Sequence, residues 1–136
     1  MTKTKLVQTV NVEALPSKVW KVLTTESYIQ QYFPDGSLFC DWTEGSPISH
    51  IFEVDPGIEK ICHGTVLQVI PGMSLKYRLE EPDRSGFTVT SFELAPGSGS
   101  VDLKLTCDGI PDDEYYARMQ QLYLVLQKIK WLAEYS

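Results

Sequence analysis

The sequence predicts an α+β domain in which a curved antiparallel sheet wraps around one long C-terminal helix. Three observations carry that expectation. Turn-forming residues recur at short intervals between residues 37 and 107, the segments they bound alternate apolar with polar residues, and the chain after Pro111 runs to its end without a glycine or proline.

The first strand spans about Lys5 to Val12, with Leu6, Gln8, Val10 and Val12 on one parity. Pro16 then suits a first helical turn, and Val19, Trp20, Val22 and Leu23 form the apolar face of a short helix reaching about Thr24. Thr25-Glu26-Ser27 opens a second short helix through Tyr28, Ile29, Tyr32 and Phe33, which Pro34-Asp35-Gly36 ends. Turns are expected at Thr43 to Pro47, Asp55-Pro56-Gly57, Pro71-Gly72, Glu81 to Gly86 and Pro96 to Gly99.

Those turns separate six further strands: Leu38 to Trp42, Ile48 to Val54, Lys60 to Ile70, Ser74 to Glu80, Phe87 to Ala95 and Ser100 to Cys107. Short connections make neighbours antiparallel. Alternation is cleanest at Leu75, Tyr77, Leu79 and at Val101, Leu103, Leu105; between them Phe87 and Val89 share one parity and Phe92 and Leu94 the other, which predicts a bulge near Ser91.

Asp112 and Asp113 mark the start of the last helix, where acidic groups complement the positive end of the helix dipole. Its apolar stripe runs Tyr115, Met119, Leu122, Leu126, Ile129, Ala133, broadened by Tyr116, Tyr123, Val125 and Leu132. Sheet face and helix stripe bury each other, so residues 1–136 make one helix-grip domain of seven strands with two short helices after the first.

The chain has 136 residues, 43% hydrophobic and 22% charged, enough for one real core. Its formal charge of −6 repels phosphate backbones, which argues against nucleic acid as a partner. The absence of a long apolar run or apolar leader argues against membrane insertion and makes the cytoplasm the expected location. Cys40, Cys62 and Cys107 are odd in number and widely spaced, and read as buried small hydrophobes.

Motifs for chemistry are sparse. His50 and His63, even taken with Cys62 and Asp41, form no local metal-ligand pair, so neither a metal nor another cofactor is expected. Asp108, Asp112, Asp113 and Glu114 are explained by the helix start. Pro96-Gly97-Ser98-Gly99-Ser100 joins two strands and precedes no helix, which makes it a hairpin turn and no phosphate cradle.

The element order, with Ala14 to Trp20, Gly64 to Pro71 and Leu75-Lys76-Tyr77, resembles the START/Bet v 1-like (SRPBCC) superfamily over nearly the whole chain. Within it the chain is most similar to domains related to activators of the Hsp-90 ATPase. Their "A-P-x-x-V-W" entry to the first helix reads here as Ala14 to Trp20 with Leu15 as one extra residue, and their "G-x-V-x-x-x-x-P-x-x-x-L" strand pair reads as Gly64 to Leu75. A Gly-Trp pair common near the start of the final helix is replaced by Tyr115-Tyr116.

The resemblance implies a cavity between sheet and long helix, with Phe39, Trp42, His50, Phe52, Tyr77, Phe87, Tyr116, Met119 and Tyr123 as its expected wall. Its first functional implication is a non-catalytic module holding a hydrophobic or aromatic small molecule or lipid. The alternative is a chaperone-interaction domain. An enzyme with cyclase- or hydrolase-like chemistry ranks last: no nucleophile-base pair is visible, and activity would need Asp41, His50 or Tyr77 to converge. No residue pattern specifies an oligomeric state.

Overall fold

The computed structural model describes residues 2–33, 36–81 and 86–136. The helix stop expected at Pro34-Asp35 and the body of the turn between Glu81 and Gly86 lie outside the described residues. In chain order the elements are β1 (Lys3–Val12), α1 (Pro16–Thr24), α2 (Glu26–Tyr32), β2 (Ser37–Phe39), β3 (Pro47–Asp55), β4 (Ile58–Ile70), β5 (Ser74–Glu80), β6 (Phe87–Pro96), β7 (Val101–Pro111), a single 3-10 turn (Asp112–Glu114) and α3 (Tyr115–Tyr135).

The strands form one antiparallel sheet in the order β1-β7-β6-β5-β4-β3-β2. This is a meander from β2 to β7, with β1 returning to pair along β7 from Val12↔Val101 to Lys3↔Pro111. Alternation decides which face turns inward: Leu6 and Val12 of β1, Leu75 and Tyr77 of β5, and Val101, Leu103 and Leu105 of β7 are all buried. The architecture is the expected helix grip, with α1 and α2 inserted between β1 and β2.

Three strand details differ from the sequence reading. β2 stops at Phe39, because the chain then turns: the Ser46 hydroxyl donates to the carbonyls of Asp41 and Thr43. β7 runs on to Pro111, past the break expected at Gly109. Gly109, at φ +92°, absorbs the register shift opposite Thr4 and Lys5, and a Cβ there would meet the Phe87 carbonyl oxygen at 2.8 Å.

The third is the bulge near Ser91, which is absent. β6 keeps unbroken register with β5 from Ser74↔Glu93 to Glu80↔Phe87, and with β7 from Val89↔Asp108 to Pro96↔Val101. Thr88 and Thr90 occupy the inward parity with Phe92 and Leu94, leaving Phe87 outside, where the Arg78 guanidinium lies 4.8 Å from its ring centre. Inward threonines, rather than a kink, reconcile the two parities. The bulges that do form lie at Thr4/Lys5, Glu53/Asp55 and Val66/Gln68.

The main core joins α1 (Val19, Val22, Leu23), the inner sheet face and the second half of α3, where Val125, Leu126, Ile129, Leu132 and Ala133 are buried. Each buried valine, leucine or isoleucine among them contributes roughly 1.5–3 kcal/mol of transfer free energy. The first half of α3 packs more thinly. Tyr115, Met119 and Leu122 only partly cover a small second cluster of Leu6, Cys107 and Ile110. Tight packing at one end and loose packing at the other leaves space under the first turns of α3.

Candidate functional site

That space is a cavity of about 380 Å³. Its sheet wall is Tyr77 and Leu79 of β5, Thr88, Thr90 and Phe92 of β6, and Leu105 and Cys107 of β7. Ala117, Arg118, Gln121, Leu122 and Val125 of α3 cover it, Tyr32 and Phe33 close one end with His50, and Glu80, Glu81 and Glu114 add carboxylates. A mostly apolar enclosure with a few placed polar groups is the usual form of a small-molecule site.

The polar groups fall into two sets. Deep inside, the Tyr32 hydroxyl donates to the Leu23 carbonyl at 2.9 Å, Tyr77 shares a hydrogen bond with Thr90, and the Thr90 hydroxyl lies 3.7 Å from the Cys107 sulfur. Burial pushes the pKa values of Tyr32, Tyr77 and Cys107 upward, so these groups are neutral at physiological pH. They can orient a ligand through hydrogen bonds, and none is a ready thiolate or phenolate nucleophile.

Near the surface, Arg118 is held by two carboxylates, Glu81 at 2.8 Å and Glu114 at 3.0 Å. Side-chain exposure rises from 8% at Glu81 through 24% at Arg118 to 45% at Glu114, so the triad runs from the interior to the rim. Burial alone would pull the Arg118 pKa down; Glu81 and Glu114 outweigh it and raise the value, fixing the positive charge.

Of the nine expected wall residues, His50 and Tyr77 line this cavity. Tyr116, Met119 and Tyr123 lie together elsewhere, along a second, more open depression of about 440 Å³ shared with Leu6, Val7, Gln8, Tyr115 and Gln120. Gln8 donates to the Met119 carbonyl there at 2.7 Å. Phe39, Trp42, Phe52 and Phe87 line neither space. Trp42 backs Tyr77 edge-on at 5.7 Å, Phe52 packs on His50 at 4.8 Å, and Phe39 and Phe87 are exposed. Asp41 is exposed on the loop after β2, so Asp41, His50 and Tyr77 do not converge on one point of the cavity.

The helical phase separates the two groups. Residues 117, 118, 121, 122 and 125 share the cavity side of α3, while 116, 119, 120 and 123 share the flank toward β1. Sequence reasoning missed Arg118, Thr88 and Thr90. The available signals were an arginine four residues after Glu114 and two threonines on the parity of Phe92. Among the described residues no group of His, Cys, Asp and Glu could hold a metal ion, and no helix is long and apolar enough to cross a membrane.

The family model described as "Activator of Hsp90 ATPase homolog 1-like protein" matches residues 13–134. No curated protein matches the sequence. Several solved structures share the fold. Protein Mll3558 from Rhizobium loti superposes with a TM-score of 0.80 at 16% identity, covering 96% of this chain and 97% of that one. Protein MLL2253 from Mesorhizobium loti gives 0.79 at 20%, covering 95% and 96%. The Aha1 dimer from Colwellia psychrerythraea, a solution structure, gives 0.79 at 17%, covering 97% of each. At these identities the likeness is one of fold.

Proposed function

Since the chain belongs to the Activator of Hsp90 ATPase homolog 1-like family, whose model spans nearly all of it, we propose that it is a non-catalytic binding module that holds a hydrophobic or aromatic small molecule between sheet and α3. The observation that carries this is the partly open space of about 380 Å³ beneath the first half of the helix. Close-packed interiors leave few spaces of this size, and a preformed pocket lined mainly by apolar groups is the usual form of a small-molecule site. Phe33, Phe92, Leu105 and Val125 supply apolar surface, and the neutral hydroxyls of Tyr77 and Thr90 supply orientation.

Native mass spectrometry against a panel of lipids and aromatic compounds, followed by titration of the hits, tests the reading. A stoichiometric complex with micromolar or tighter affinity is expected. Failure of the whole panel rejects it.

A chaperone-interaction role is the second reading. It is favoured by an exposed stripe along the outer side of α3, where Tyr116, Tyr123, Leu124, Trp131 and Tyr135 are each at least half exposed. Its check is a pull-down with Hsp90 and a measurement of chaperone ATPase rate. No capture and an unchanged rate reject it.

A further inference from the structure

We infer that Tyr77, Thr90 and Cys107 form a hydrogen-bonding subsite for one uncharged hydroxyl group, so that the cavity takes a mostly apolar ligand bearing an alcohol or a phenol. This rests on the binding reading above and concerns which group of the ligand is read. The three residues stand in one line across the sheet: Tyr77 of β5 is registered opposite Thr90 of β6, and Thr90 opposite Cys107 of β7. All three line the cavity. The next inward line, Leu75-Phe92-Leu105, is apolar and almost fully buried, so the polar line lies at the deep end of the space.

Thr90 is partly exposed, although its neighbours on both sides, Tyr77 and Cys107, are each only 5% exposed. An inward side chain in the middle of a sheet gains such access from the cavity. The three groups bring one hydrogen each, and the two contacts along the line, Tyr77 with Thr90 and Thr90 with Cys107, use two of them. One hydrogen and several lone pairs are left to face a ligand. Because the Thr90 hydroxyl can turn either way, the surplus hydrogen falls at the tyrosine or at the weaker thiol donor, and a ligand hydroxyl, which both donates and accepts, fits both arrangements. A methyl ether answers only one of them. An ionised group would shed its water against partners that burial keeps neutral.

Calorimetric titration at neutral pH with naphthol, its methyl ether and the matching naphthoate tests the inference, since the three share one aromatic body and differ in the group that meets the line. The naphthol should bind about tenfold tighter than the ether, the effect of one buried hydrogen bond made or left unmade, and the naphthoate should bind weakest. Thr90→Val and Tyr77→Phe, which remove one hydroxyl each, should each lower the ratio of naphthol to ether affinity severalfold. That ratio does not change with the folded fraction, so it reads the subsite even where a variant is less stable. Equal affinities for naphthol and ether, a naphthoate that binds as well as the naphthol, or a ratio that survives Thr90→Val overturns the subsite while cavity binding stands. Silence from all three overturns it too, and the lipid and aromatic panel then decides whether cavity binding falls with it.

Discussion

The Arg118 guanidinium sits 2.8 Å from the Glu81 carboxylate, joining the first turns of α3 to the chain that follows β5. The contact spans the side of the domain where α3 has the fewest buried apolar residues, so a charge pair fastens what packing leaves loose. Arg118→Met strands a nearly buried Glu81 without its counter-charge and should cost about 2 kcal/mol, less than a fully buried pair because Arg118 is partly exposed. Glu81→Gln should cost less, since Arg118 keeps Glu114. Urea midpoints check the order; a larger loss for Glu81→Gln contradicts it.

Gly64 is required by close approach. A Cβ at this position in β4 would lie 2.2 Å from the Arg78 carbonyl oxygen of β5, a backbone atom that cannot move without opening the ladder. Gly64→Ala should therefore destabilise by about 1–3 kcal/mol or more. Alanine at Gly45, where nothing lies within 4 Å of the added carbon, isolates the effect of φ +84° alone. Thermal unfolding of the two variants separates collision from backbone strain, with Gly64→Ala the less stable.

How much was legible follows from what alternation and helical period encode. Leu75, Tyr77, Val101, Leu103 and Leu105 announce a wet and a dry face, and turn residues set the strand count, so the number and order of strands could be read while strand ends and bulges could not. Helical phase was harder. Tyr116 and Arg118 are two residues apart, and a broad apolar stripe does not say which neighbour faces the cavity; Arg118 lines it and Tyr116 is 82% exposed. Aromatic content also misled the search for the cavity wall. The edge-on stack of Trp42 on Tyr77 depends on the loop after β2, whose Ser46 and Asp41 contacts no periodicity encodes.

Stability should fall on the alkaline side. Burial, with a smaller contribution from Asp41, pushes the Cys40 thiol up to about 12, and burial raises Tyr32, Tyr77 and Cys107 as well. Each group holds its proton in the folded state after the unfolded chain has released it. Their contribution is thus complete below about pH 8.5 and is lost as the pH climbs toward 12. Urea midpoints should decline progressively from about pH 9 upward. Of the seven tyrosines, Tyr32 and Tyr77 should withhold their tyrosinate absorbance until the domain unfolds. A flat stability profile to pH 11 contradicts this.

Filling the cavity should separate binding from folding. Leu122 lies where the two apolar clusters meet and lines the cavity from α3, half-buried, so a larger side chain there has room to grow inward. Leu122→Trp should intrude into the cavity while removing no buried hydrogen bond, and its stability should stay within about 1.5 kcal/mol of the parent. Ligand affinity should drop at least tenfold. Ile129→Ala provides the contrast: Ile129 is fully buried where α3 meets the main core and does not line the cavity, so its loss should cost about 2–5 kcal/mol. The folded fraction of that variant should still bind normally. If Leu122→Trp keeps full affinity, the ligand enters elsewhere, and the depression beside Tyr116 and Tyr123 becomes the place to test.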